Sequence, residues 1–315
     1  MAAKIFVDGA AGTTGLEIRE RLDPRKDLSF IRLSDSERKD TRARSAALNE
    51  ADVVILCLPD EAAREAVGLI ENPSVRVIDA STAHRVAADW VFGFPELEPS
   101  QYERIAGAKR VSNPGCYSTG FVALVRPLVR LGFIPGEWPL TAAGMSGYSG
   151  GGRPMIAEFE DRKAPAFTSA VVRNYALTLA HKHVPEMRKH AGLAHDPIFA
   201  PSVGRYYRGM IVDVPLHLWS LPGKPRGSEL RDALADAYRG RAYVDVASKA
   251  ETDALSLLDP ESLNNTNRMK LYVFENEAQG HARLAAVLDN LGKGASGAAV
   301  QNLNIMLGLP ESTGL

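Results

Sequence analysis

A chain of 315 residues, 45% hydrophobic and 24% charged, carries enough apolar surface for one large core or two medium ones. Its formal net charge of −1 gives no electrostatic pull toward nucleic acid or an anionic membrane. No apolar run approaches the roughly 20 residues that span a bilayer, and two cysteines exclude a disulfide scaffold. The N-terminus enters a strand pattern without a signal peptide, so a cytoplasmic location is expected.

Lys4 to Val7 reads as a strand, followed by a turn containing Gly9, Gly12 and Gly15 and a helix to about Leu22, where Pro24 stops it. Further strands are expected at Ser29 to Leu33, Val53 to Leu58 and Arg76 to Ile78, with a helix from Ala62 to Ile70. Strands alternating with helices imply a doubly wound parallel sheet with right-handed crossovers. Beyond Ser112 the texture changes. Glycine and proline crowd residues 144–154, and Gly209 to Trp219, Arg241 to Val246 and Met269 to Glu275 have the β-branched and aromatic content of a mixed or antiparallel sheet. Ala282 to Leu291 and Ala298 to Leu307 have helical spacing. Two domains are expected, residues 1–115 with 290–315 and residues 116–289, the second devoted to catalysis, substrate and subunit contacts.

The glycines follow a strand and open a helix, where backbone amides can approach a pyrophosphate, and Thr13 and Thr14 add hydroxyls. Their GxxGxxG spacing departs from the commoner GxGxxG, so a plain strand-to-helix turn competes. After the second strand Asp35 suits the ribose hydroxyls of NAD. Its neighbours Ser34, Ser36, Arg38 and Lys39 suit the 2′-phosphate of NADP. The residues alone leave both open.

The sharpest signal is Asn113-Pro114-Gly115-Cys116-Tyr117. Phe121, Leu124, Val125, Leu128 and Val129 then recur at helical spacing, so Cys116 stands near a helix N-terminus, where a thiol gains thiolate character. Cys57, inside an apolar strand, reads as a buried small hydrophobe. His181 and His183 are two apart, so an extended backbone turns both the same way, and Pro185 suits the first turn of a helix with Glu186 beside it. A histidine near a thiolate supplies the base and acid of thioester chemistry, and Glu186 is the candidate to orient the ring. Metal binding by HxH lacks further ligands at suitable spacing, so no metal is expected.

The Asn113 to Tyr117 motif resembles the active-site segment of N-acetyl-γ-glutamyl-phosphate reductases, in their shorter form. The likeness extends along nearly the whole chain: the Gly9 to Gly15 turn, Leu58-Pro59-Asp60, Asp79 to Arg85, Gly93-Phe94-Pro95-Glu96-Leu97, Ser146 to Arg153, His181 to Glu186 and Asp289 to Asn302. One departure is visible, His84 standing where many relatives carry an aromatic residue. The resemblance implies a Rossmann-type NADP-binding domain plus an α+β catalytic and oligomerisation domain with a mixed sheet, in a homodimer or homotetramer. It implies reduction of an acyl phosphate, N-acetyl-γ-glutamyl phosphate, through a Cys116 thioester in arginine biosynthesis. One of the two histidines is then the acid/base, His181 being favoured. Arg85 and Asn113 are assigned to the substrate phosphate, Arg153 to the pocket behind the Ser146 to Gly152 loop, and Asn290 to the nicotinamide. Asn290 as a helix C-cap before Gly292 is the competing reading. Rivals are aspartate-semialdehyde dehydrogenase on the same fold and a cysteine hydrolase, which has no use for the glycine turn. A non-catalytic dinucleotide sensor needs no exposed cysteine.

Overall fold

The computed structural model describes residues 2–315, which divide into two compact units. The first comprises residues 2–95, 100–114 and 295–315; the second comprises 96–99 and 115–294. Residues 290–294 were expected with the first domain but cluster with the second. Asn290 there bonds Ser149 and Gly209, and Lys293 bonds Glu96.

The first unit runs β1 (Ala3–Asp8), α1 (Thr13–Leu22), β2 (Leu28–Ile31), α2 (Thr41–Glu50), β3 (Val53–Leu56), α3 (Asp60–Gly68), β4 (Arg76–Asp79), β5 (Val91–Phe92), α4 (Gln101–Gly107) and β6 (Arg110–Ser112). The strands form one sheet in the order β2-β1-β3-β4-β6-β5, parallel throughout. Side chains alternate between its faces. Ile5, Ile55 and Ile78 join Ile18, Leu22 and Ile105 in one core, while Phe6, Val54 and Val77 join Ala47, Leu48, Ala63 and Ala66 in the other. Both faces are thus covered, which is why β3 is a continuous apolar run.

The second unit runs α5 (Cys116–Arg130), β7 (Thr141–Gly147), α6 (Gly152–Glu160), β8 (Val172–Asn174), α7 (Val184–Ala191), β9 (Ile198–Gly204), β10 (Met210–His217), α8 (Gly227–Tyr238), β11 (Val244–Val246), α9 (Lys249–Asp253), β12 (Met269–Asn276) and β13 (His281–Leu288). Its seven-stranded mixed sheet has the order β11-β12-β13-β10-β7-β9-β8. The chain then returns to the first unit as α10 (Gly297–Met306), whose residues are all buried. Arg76 secures that return by donating to the carbonyls of Met306, Ala106 and Ala108.

One expected helix is a strand. Residues 281–288 pair antiparallel with β10 on one side and β12 on the other. Their alanines and leucines favour helix locally, but a central strand buried on both faces loses the alternation that would reveal it.

Candidate active site

The glycine-rich turn of the first unit is shaped by close backbone approach. Gly9 has φ +84°, and a Cβ there would lie 2.2 Å from the Cys57 carbonyl oxygen. A Cβ on Gly15 would lie 2.6 Å from the Gly9 oxygen. Gly12 is the N-cap of α1 and supplies no side-chain cap, so Thr13 and Thr14 open the helix beside amides suited to an anion.

Beyond β2, Ser34 Oγ lies 3.1 Å from Ser36 Oγ. The Glu37 carboxylate accepts from both the amide and the hydroxyl of Ser34, bonds that lower its pKa. Arg38 pairs with Asp35 at 3.2 Å, and Lys39 is exposed in the same turn. A cavity of about 220 Å³ here is lined by Gly9, Ala10, Arg19, Arg32 and Arg38, among others. Arg19 and Arg32, each 3.1 Å from Asp23, were not singled out from sequence, because Arg19 enters this wall from α1 and not from the loop.

At the end of β4 the buried Asp79 carboxylate accepts from the Ser81 amide and hydroxyl and lies 2.6 Å from His84 Nδ1. His84 stacks on Trp90 with centroids 4.2 Å apart, so this ring fills an aromatic's place and also engages Asp79. Arg85 is buried, its Nε and Nη2 donating to the carbonyls of Asn113 and Ala80. The Asn113 side chain donates to the Ala295 carbonyl and accepts from Asn302.

Cys116 is the first residue of α5 and is partly exposed. The Gly115 amide before it donates to Glu186 Oε1 at 2.8 Å. Glu186 therefore holds the start of α5, a contact that sequence did not suggest. The Tyr117 ring lies 5.9 Å from His181 and 6.0 Å from His183, whose own rings are 4.7 Å apart. The His181–His183 segment is a turn and not extended, and Pro185 stands in the first turn of α7. The His183 amide donates to His181 Nδ1, which leaves the proton of a neutral His181 on Nε2. His181 is the more exposed of the pair. The Tyr117 hydroxyl donates to the Ser202 carbonyl and also bonds Tyr175. Burial holds Tyr117 well above its ordinary pKa and pushes Tyr175 up to about 12, so both remain phenols. Tyr175 and His181 bracket Ala176 and Leu179, non-glycine residues at φ +53° and +61°. Nothing local in the sequence marks Tyr175.

Residues 292–296 form a π-helical turn in which a Cβ on Gly294 would lie 2.7 Å from Cys116 Cβ. Asp289 holds the approach to this turn, accepting from the Asn265 and Leu291 amides. Asn290 caps no helix. Its Nδ2 donates to Ser149 Oγ and its Oδ1 accepts from the Gly209 amide, which fixes the Ser146 to Gly152 loop. Arg153, in the first turn of α6, is exposed. Among the described residues no three His, Cys, Asp or Glu side chains gather as metal ligands, and no helix is long and apolar enough to cross a membrane.

Residues 4–105 match the family model for the semialdehyde dehydrogenase NAD binding domain, and residues 116–290 match that for the semialdehyde dehydrogenase dimerisation domain. The chain is 54% identical to the N-acetyl-gamma-glutamyl-phosphate reductase of Mesorhizobium japonicum, over 98% of this chain and 100% of that protein. It is 51% identical to the enzyme of that name from Trichormus variabilis, over 99% of both. Among solved structures, aspartate semialdehyde dehydrogenase II of Vibrio cholerae superposes with a TM-score of 0.75 at 13% identity, covering 98% of each chain. Aspartate semialdehyde dehydrogenase of Candida albicans, solved with NADP, superposes at 0.65 with 14% identity, covering 98% of this chain and 99% of that one. The chain belongs to the N-acetyl-gamma-glutamyl-phosphate reductase family of semialdehyde dehydrogenases.

Proposed function

We propose that this chain reduces N-acetyl-γ-glutamyl phosphate to N-acetylglutamate semialdehyde and phosphate with NADPH, a step of arginine biosynthesis in the cytoplasm. The observation that carries the reading is Cys116 as the first residue of α5, partly exposed and without a side-chain cap before it, with two histidines packed on the adjoining Tyr117 ring. The Cys116 thiolate attacks the acyl carbon, the carbonyl re-forms as phosphate leaves, and a thioester remains on the sulfur. Backbone amides at the start of α5 stabilise the negative oxygen of each tetrahedral species. His181, with its proton on Nε2, donates to the oxygen as the thiohemiacetal forms and takes the hydroxyl proton back as that species collapses to aldehyde and thiolate. NADPH, when bound, supplies the hydride that reduces the thioester.

The first unit fits that cofactor, since Gly9 and Gly15 leave no room for a Cβ and Gly12 leaves α1 without a side-chain cap. Gly9, Gly12, Thr13, Thr14 and Gly15 are assigned to its pyrophosphate, and Ser34, Ser36, Arg38 and Lys39 to its 2′-phosphate. The pairing of Asp35 with Arg38 favours NADP, because it turns the acidic residue to a protein partner. Arg85, bonded to the carbonyls of Ala80 and Asn113, acts on the substrate phosphate by fixing the segment ahead of Cys116. Asn113 and Arg153 are assigned to substrate. Asn290 serves the nicotinamide region by holding Ser149. Assembly into a homodimer or homotetramer is assigned to the second unit, which exposes Val171, Leu177 and Ile198.

The reverse reaction tests the assignment. With NADP and phosphate supplied, N-acetylglutamate semialdehyde should drive NADPH formation far better than aspartate semialdehyde. Preference for the aspartate compound overturns the substrate, and equal use of NAD overturns the cofactor.

A further inference from the structure

We infer that the buried Lys293–Glu96 ion pair is a positioning device for Cys116, a step that rests on reading Cys116 as the nucleophile. The two side chains are 1% and 2% exposed, and Lys293 Nζ lies 2.8 and 2.9 Å from the two Glu96 oxygens. Nζ also lies 5.6 Å from the centre of the Tyr243 ring. They join segments 197 positions apart, Glu96 in the Gly93 to Leu97 stretch and Lys293 in the π-helical turn. Burying two charges is costly, and apolar packing would hold two segments together as well or better. What packing lacks is direction: an ammonium held by both oxygens of one carboxylate fixes where the turn stands.

That position reaches Cys116 without any soft side chain between. Gly292 and Gly294 flank Lys293. A Cβ on the first would strike the Thr266 carbonyl oxygen at 2.2 Å, and one on the second would strike Cys116 Cβ at 2.7 Å. Close-packed backbone transmits displacement because it has no rotamer with which to absorb it. A slack turn therefore moves or loosens Cys116 against Glu186, His181 and His183.

The test separates position from mere stability. Lys293→Met and Glu96→Leu singly leave a buried charge unpaired and should each lower the melting temperature, and the double variant should restore it. Catalysis should not follow. In the double variant kcat should fall about tenfold or more with KM little changed. The midpoint of Cys116 alkylation by iodoacetamide against pH, read on its peptide by mass spectrometry, should shift. Glu96→Gln, which keeps an acceptor for the ammonium, should fold in any case and show a smaller shift of the same kind. Parent kcat and a parent alkylation profile in the double variant, or in Glu96→Gln if the double variant does not fold, overturn the inference. Alkylation requires neither substrate nor cofactor, so it reads the pair even if the proposed reaction fails.

Discussion

Cys57 and Cys116 are the same side chain at opposite poles of the backbone. Cys57 follows the last residue of β3, donates its amide to the Asp8 carbonyl, and has the Asp8 and Asp79 carboxylates near it. Burial, then the charges of Asp79 and Asp8, push its pKa up to about 12. Cys116 opens a helix, at the end where the dipole favours negative charge. A thiol's fate in this fold is therefore written by which end of a secondary element carries it. Composition around it says less: both cysteines stand next to apolar segments.

The contrast breaks most severely at Cys116 itself. Cys116→Ala should lower the reduction rate on the order of ten-thousandfold, as loss of a covalent nucleophile does, with NADPH affinity by titration unchanged. Substantial turnover in that variant removes the thioester route. Competitive alkylation sharpens the contrast next. A thiol raised from 9.0 to about 12 has about a thousandfold less thiolate at neutral pH, so Cys116 should be labelled long before Cys57. Equal labelling would erase the distinction. Linkage gives the same group a sign: the unfolded thiol ionises first, so its contribution to stability is lost as pH rises past 9.0. Smallest is His181→Asn, which should slow turnover about a hundredfold and remove one limb of the pH–rate profile. A profile like the parent's would pass the proton to another group.

What was legible in the sequence was local. The Gly9 to Gly15 turn, the start of α5 and Pro185 at the head of α7 are each written within a few residues, as turn glycines, helical spacing and a proline. The parallel strands β1, β3 and β4 were readable because both faces are buried and their apolar runs are dense. Strands β7 and β9 were not, since Thr-Ala-Ala-Gly-Met-Ser-Gly and a proline-containing segment have little β propensity and pair through tertiary context. Helix α2 escaped for a different reason: only Ala47 and Leu48 are buried, too few to raise a periodic signal. At the site, Glu186 on the Gly115 amide, Gly294 against Cys116 and Lys293 on Glu96 are long-range meetings, and no window of sequence contains both partners.

The return of the chain through α10 has a consequence for how the protein is made. Ala299, Val300, Leu303, Ile305 and Met306 belong to the same core as Ile5, Ile55 and Ile78, and Asn302 bonds both Gly93 and Asn113. Residues 2–114 are thus made long before α10, which supplies one wall of their core. The second unit is nearly continuous, from residue 115 to residue 294, and its central strands can pair while that wall is still being synthesised. Synthesis order and completion order are inverted, so nascent chains carry an incompletely covered apolar sheet face, held by α1 and α4 alone, until α10 is made. A truncation ahead of Gly297 would leave that face covered by α1 and α4 alone, a harsher lesion than its distance in sequence from Cys116 suggests.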